Sequence, residues 1–446
     1  MFGEHIDASK INGRQFAIFV LCITVMIIDG LDFQLLAFAS PLLIEEWHIT
    51  KVQLAPALAA ALIGMSIGAG FGGVLGDRFG CRRTLLWAVA AFGCTTLASA
   101  LVTATTQLTV LRFMSGFGFG VAVPVTMALV SEWCPRRIRG QTIVIMSVGT
   151  MVGGTVGGLL AEWLIPAYGW RSIFVVSGAG TLLCAGLSTL LLPESLNYLI
   201  RRGQEDEAIR WFTRVMRHPR PQVLIAPFGN TLNERFNSGD RLLSKSNFRL
   251  NFGLWSGFFS IAFASYAYMS WSPALLVHAG FSVDSSIKCT YLYTFSAVIG
   301  CFVSAASLRR IGSLPLVVVS LSISIAASVM MPSVVAKGVT LIDVLYAVMV
   351  LAGLGTGISQ STVYAIASTA YPSDYRSTAL GVCVGLSRFG GIVSVLCGGM
   401  LLELSHDSSE SFFLVLASVL GIGLICLFGI DRHTGKKAHG RVGTGA

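Results

Sequence analysis

Two carboxylates stand in the middle of the first long apolar run, in the stretch Ile27-Ile28-Asp29-Gly30-Leu31-Asp32-Phe33-Gln34. A charge at a bilayer centre costs about 2.5–3.5 kcal/mol on insertion scales, so acids kept there call for a proton, a cation or a basic partner. The i, i+3 spacing puts Asp29 and Asp32 side by side on one helical face, which must look into protein or water. Two arginines lie inside other apolar runs, Arg112 in the fourth and Arg388 in the eleventh. With a rise of about 1.5 Å per residue, Asp32 sits roughly 25 Å above the start of its run. Arg112 sits about 7 Å below the opposite face, so in a core of about 30 Å the two share a depth. Asp29 is one turn deeper. A pair would lower the cost of both charges and hold the acid ionised until a proton competes. The plain alternative is a static ion pair.

Arg388 lies roughly 16 Å into its run, near the midplane, and no acid of that half shares its depth. A guanidinium fork grips a carboxylate with two parallel hydrogen bonds, so Arg388 reads as an anion binder. A gating pair with Asp29, or simple packing, are the other readings. An aromatic ligand would need flat apolar walls. Tyr266, Tyr268 and Trp271 in the seventh run, Tyr291 and Tyr293 in the eighth, and Tyr364 in the tenth are candidates, with Gln360 as a polar neighbour. Each also suits an interface belt or a core.

The elements that carry these residues follow from composition. Of 446 residues, 54% are hydrophobic and 12% charged, about half the charged share of a soluble domain, which marks a polytopic all-α membrane protein. Apolar runs predict twelve helices, near 15–44, 52–75, 84–103, 107–131, 141–164 and 171–192, then 250–278, 288–308, 314–331, 339–367, 377–403 and 411–430. This divides the chain into a first six-helix bundle (1–192), a polar, basic and mostly non-spanning central loop (193–249), a second bundle (250–430) and a basic tail (431–446). The first run is too long for a signal peptide and holds two acids, so it is expected to stay as a span.

The net charge of +9 is spread by topology. Of the 31 Lys and Arg, only Lys51, Arg171, Lys288 and Lys337 fall on one side, and Arg112 and Arg388 lie inside spans. All others, including Arg136, Arg137, Arg139, Arg309, Arg310, Arg376, Lys436 and Lys437, share the side of both termini, which is therefore expected to be cytoplasmic. The basic residues orient helices and face anionic lipid, and no nucleic-acid partner is implied. The ten cysteines are scattered with no C-x-x-C pair and read as packing residues. Glu132, Glu162, Glu403, Asp343 and His278 lie at span ends and read as local anchors. No phosphate-binding G-x-x-x-x-G-K-[ST] run, metal-ligand cluster or hydrolase-like constellation occurs, so no cofactor, metal or enzymatic activity is expected.

The halves repeat weakly. Gly116, Gly118 and Gly120 precede Cys134-Pro135 and Arg139, and Gly353, Gly355 and Gly357 precede Tyr371-Pro372 and Arg376 at one constant offset. Asp77-Arg78-Phe79-Gly80 likewise corresponds to Arg309-Arg310-Ile311-Gly312. Two parallel six-helix halves with a midplane site between them fit a known transporter architecture.

The loop Gly73-Val-Leu-Gly76-Asp77-Arg78-Phe79-Gly80-Cys81-Arg82-Arg83 resembles the G-x-x-x-D-R-x-G-R-R signature of the major facilitator superfamily, with Cys81 in place of one arginine. Gly73, Asp77, Arg78, Gly80, Arg82 and Arg83 would form a gating latch; an ordinary basic turn is the alternative. Pro193-Glu194-Ser195 resembles the P-E-S segment of sugar and organic-acid facilitators, but Leu196-Asn197 departs from sugar porters. Gly149 through Gly158 approximates an antiporter glycine motif, but Gly154 stands where that motif requires proline. Asp29-Gly30-Leu31-Asp32 resembles the D-G-x-D of the aromatic acid:proton symporters. This resemblance implies a major facilitator fold in a bacterial inner membrane, importing a benzoate-like or hydroxybenzoate-like carboxylate by proton symport, as a monomer. Asp29, Asp32 and Arg112 would couple protons; Arg388, Gln360, Tyr266, Trp271, Tyr293 and Tyr364 would bind substrate. Symport of a non-aromatic acid of the shikimate or dicarboxylate type, efflux by antiport, and a sensor without transport are the alternatives.

Overall fold

The structure, a computed structural model, describes residues 6–7, 11–216, 244, 247–337, 341–371, 376–404 and 409–430. Lys10, most of the central loop and the tail with Lys436 and Lys437 lie outside the described residues, as do the side chains of Arg136, Arg139, Arg309 and Arg376. Every regular element among the described residues is helical. In chain order these are α1 (Gly13–Trp47), α2 (Lys51–Phe79), α3 (Cys81–Ala98), α4 (Thr105–Trp133), α5 (Arg136–Tyr168), α6 (Arg171–Leu191), α7 (Leu196–Arg201), α8 (Glu205–Met216), α9 (Phe248–His278), α10 (Val283–Ile311), α11 (Ser313–Ala336), α12 (Ile342–Ala370), α13 (Arg376–Leu404) and α14 (Ser409–Phe428).

The twelve long helices match the twelve apolar runs, and eleven are long and apolar enough to cross a membrane. The remaining long helix, α9, has 31 residues, ample for a span of about 20. Its serines, tyrosines and tryptophans dilute its hydropathy, so length identifies it. Helix starts are written locally: Asn12 with Gln15 and Thr50 with Gln53 form capping boxes on α1 and α2. Within the central loop, α7 and α8 bury Leu196, Leu199, Ala208, Phe212 and Val215 against the first bundle, so part of that polar segment is anchored structure.

The chain forms two compact units. Unit 1 comprises Met1–Gly229, Met269–Thr294 and Val395–Asp407; unit 2 comprises Asn230–Tyr268, Phe295–Ser394 and Ser408–Ala446. In unit 1, glycines bring helix backbones together. A Cβ on Gly30 would lie 1.6 Å from the Thr150 carbonyl oxygen, and one on Gly153 only 1.9 Å from that of Ile27, so α1 and α5 touch backbone to backbone. The repeated glycines work the same way. Gly116 and Gly120 press on Ala61 and Met65 of α2, and Gly118 faces Ala88 of α3. In unit 2, Gly357 presses on Ala297 of α10 and Gly355 on Ser320 and Ser324 of α11. The sequence repeat is therefore a repeat of helix contacts. Gly80 and Gly312, each in a turn with positive φ (96° and 88°), extend the correspondence.

Candidate functional site

On α1, Asp32 is 4% exposed and Asp29 5%, both buried within unit 1. The pairing expected from depth is present: Arg112 Nη1 donates to Asp32 Oδ2 at 2.9 Å and reaches the Asp32 carbonyl at 3.3 Å. Thr96 Oγ1 of α3 donates to the other carboxylate oxygen at 2.8 Å. The guanidinium lies 4.8 Å from the centre of the Phe174 ring of α6. Side chains of α3 and α4 thus meet the α1 carboxylate, and α6 packs on the guanidinium. Arg112 Nε and Nη2, both buried, have no hydrogen-bond acceptor among the described residues, so the cation carries donor capacity that Asp32 does not use. Two residues beyond Asp32, the fully buried Gln34 amide pairs with nothing among the described residues and abuts Gly154 of α5.

Unit 2 holds a second cationic locus. Arg388 of α13 is half-buried, and its Nη1 donates to the Tyr266 hydroxyl of α9 at 2.8 Å. The next turn of α13 explains this seat: a Cβ on Gly391 would lie 2.5 Å from the Tyr266 ring, so only glycine admits it. Tyr364 of α12 is 38% exposed and packs edge-on against Phe258 at 4.7 Å. Gln360, one turn from Tyr364 on α12, is half-buried. Two further expected wall residues, Trp271 at 0% and Tyr293 at 2% exposure, belong to unit 1 and are buried. Trp271 donates its indole N–H to the Val395 carbonyl at 3.0 Å and packs on Gly399, a packing contact in this structure.

The expected latch residues cluster at the α2–α3 turn. Gly80 has a φ of 96° that side chains rarely adopt, and a Cβ there would lie 2.6 Å from Glu194 Oε2. Glu194 accepts the backbone N–H groups of Arg82 and Ser195, both at 2.9 Å, while the Arg82 guanidinium donates to the carbonyls of Leu192 and Thr189. Arg82 and Gly80 thereby tie the turn to the P-E-S segment. Asp77, Arg78 and Arg83 are exposed, and Gly73 has no neighbour within 4 Å of its Cβ position.

Sequence reasoning did not single out Thr96, Phe174 or Gln34 as site residues. Threonine and phenylalanine inside apolar runs carry no local signal. Gln34 does carry one, a neutral amide in the same apolar run as the acids.

A family model described as the Major Facilitator Superfamily matches residues 22–382 and 335–445. The chain is 31% identical over 427 residues to the 4-hydroxybenzoate transporter PcaK of Pseudomonas putida, covering 94% of each chain. It is 30% identical over 423 residues to a gallate transporter of the same organism, covering 90% of this chain and 88% of the relative. Among solved structures, the xylose transporter XylE of E. coli, in a partially occluded inward-open conformation, superposes with a TM-score of 0.72 at 16% identity. That likeness covers 94% of this chain and 100% of the other and bears on the fold. The chain belongs to the major facilitator superfamily and, within it, to the aromatic acid transporter family; it is a multi-pass membrane transporter and not an enzyme.

Proposed function

We propose that this transporter imports an aromatic carboxylate together with protons across a bacterial inner membrane, by alternating access, with both termini in the cytoplasm and the monomer as working unit. Relatives named for 4-hydroxybenzoate, gallate and benzoate support the substrate class. The observation that carries the mechanism is the buried Asp32–Arg112 pair with its two unused arginine donors. Protonation of Asp32 removes the charge that holds Arg112 and frees the cation for another anion. Asp29, buried one turn away, is the second proton site. Arg388 takes the substrate carboxylate, with Tyr266, Tyr364 and Gln360 beside the ring. The turn from Gly73 to Arg83 acts as the latch, anchored through Gly80, Arg82 and Glu194.

The energetics suit this division. A benzoate-like acid is anionic at pH 7, and moving one negative charge inward costs about 2.3 kcal/mol per 100 mV. One proton cancels that cost, and two make the potential a driving force. The test is uptake of labelled 4-hydroxybenzoate into proteoliposomes. Asp32→Asn is expected to abolish accumulation driven by a pH gradient while substrate exchange at equal pH persists. Full gradient-driven accumulation in that variant would reject the proton role. Competition by shikimate as strong as by benzoate would move the substrate to a non-aromatic acid.

A further inference from the structure

Apart from the Asp32–Arg112 pair, unit 1 carries a groove of about 1160 Å³, walled by α2, α3 and α4 and closed at one end by α7 and α8. Neither Asp29, Asp32 nor Arg112 lines it. Its closed end is cationic: Arg78, Arg82, Arg83 and Arg202 line it against two acids, Glu194 and Glu207. None of the four arginines makes an ion pair among the described residues. Arg82 is committed to backbone carbonyls, Arg202 donates one N–H to the Arg78 carbonyl, and Arg78 and Arg83 are exposed. Glu194 already accepts two backbone N–H groups, so the acids leave the end positive.

The other end is apolar and open. Trp87 is 78% exposed, Met114 51%, Ile67 43% and Phe113 37%, and all four line the groove. Ile67 precedes Arg78 by eleven residues on α2, roughly 16 Å along the axis, which is about half of a 30 Å hydrocarbon core. Trp87 follows Arg83 by one turn, the level at which tryptophan marks a membrane interface. A soluble anion would meet the arginines but leave that apolar wall unused. A hydrocarbon chain alone would leave the arginines unused.

We propose that this groove is a binding site for one anionic glycerophospholipid of the leaflet at the arginine-rich end. Its phosphate sits among Arg78, Arg83 and Arg202, and its acyl chains lie along Trp87, Phe113 and Ile67. The inference is independent of the solute carried. The experiment is native mass spectrometry of the full-length protein, released from bilayers containing phosphatidylglycerol and phosphatidylcholine in equal parts. Wild type is expected to retain phosphatidylglycerol in preference. Arg83→Gln with Arg202→Gln is expected to cut that retention by about 5-fold per arginine, from the worth of a cation near a lipid surface. The double lysine variant keeps most of it. Trp87→Ala lowers retention without removing any charge, so the acyl arm is read in a protein with its arginines intact. Arg310→Gln, outside the groove, leaves retention unchanged. Equal retention of the two lipids, an equal loss in Arg310→Gln, or displacement of phosphatidylglycerol by inorganic phosphate would each overturn the site.

Discussion

The two intramembrane arginines sit in different surroundings. Arg112 in unit 1 is 1% exposed, and its short contact is a carboxylate that also takes a threonine hydroxyl. Arg388 in unit 2 is half-buried, and its short contact is a phenol. A guanidinium against a carboxylate forms a locally neutral unit, stable while dry and disrupted by a proton. A guanidinium fork also suits a carboxylate bidentately, which is the role proposed for Arg388. Under the proposed function, proton handling centres on the Asp32–Arg112 pair and substrate binding on Arg388, and the contrast can be broken at either end.

The largest effect is expected at Arg112. Arg112→Met strands Asp32 in a dry site, and breaking a buried pair in this way costs about 3–5 kcal/mol. The melting temperature of the purified protein should fall sharply and uptake should vanish. Adding Asp32→Asn should restore most of the stability but none of the gradient-driven uptake. If single and double variants melt alike, the pair is not what holds this corner together.

Arg388→Gln tests the other end. A half-buried cation contributes less to the fold, so melting should change little. The KM for an aromatic carboxylate should rise by roughly 10-fold or more, the scale of one charge-assisted hydrogen bond. Arg388→Lys should fall between, because an ammonium cannot grip both oxygens. An unchanged KM with a lowered melting temperature would make Arg388 structural and erase the contrast.

Next is Thr96→Val, which keeps shape but removes a donor from the buried Asp32 carboxylate. A hydrogen bond to a charged group contributes about 1.5–3 kcal/mol, so stability should fall by less than in Arg112→Met, with Thr96→Ser recovering it. Equal stability of Thr96→Val and wild type would remove α3 from the site.

What could be read beforehand, and what could not, divides along one geometric line. Height along a helix is legible, because each residue adds a fixed rise; that placed Asp32 level with Arg112 across 80 positions of sequence. Azimuth between helices is not legible from one chain. Thr96 and Phe174 therefore stayed invisible, although their heights were as readable as any other. The same limit governs the aromatics. Tyr266 and Trp271 share a helix, yet one meets Arg388 and the other bonds the Val395 carbonyl. The glycine repeat was legible as spacing, and the structure gives it a reason in backbone contact. The central loop is legible mainly by its polarity. Ala208, Phe212 and Val215 already show a helical stripe, but one too short to outweigh a basic composition.

The smallest and most discriminating change is Tyr266→Phe. The ring is held by the close approach of Gly391, so phenylalanine should keep the same seat and the packing of α9 on α13. Only the hydroxyl that accepts from Arg388 is lost. Because the site is half-buried, water can replace part of that bond, and the net cost should be about 1 kcal/mol, roughly 5-fold. If Tyr266 orients Arg388 toward a substrate, that factor belongs in KM, with melting unchanged and with a larger penalty for 4-hydroxybenzoate than for a neutral aromatic competitor. If Tyr266 serves the fold, the same energy appears as lost stability while KM stays fixed. The two outcomes separate an arginine poised for an anion from one that braces two helices, which is the distinction drawn between Arg388 and Arg112.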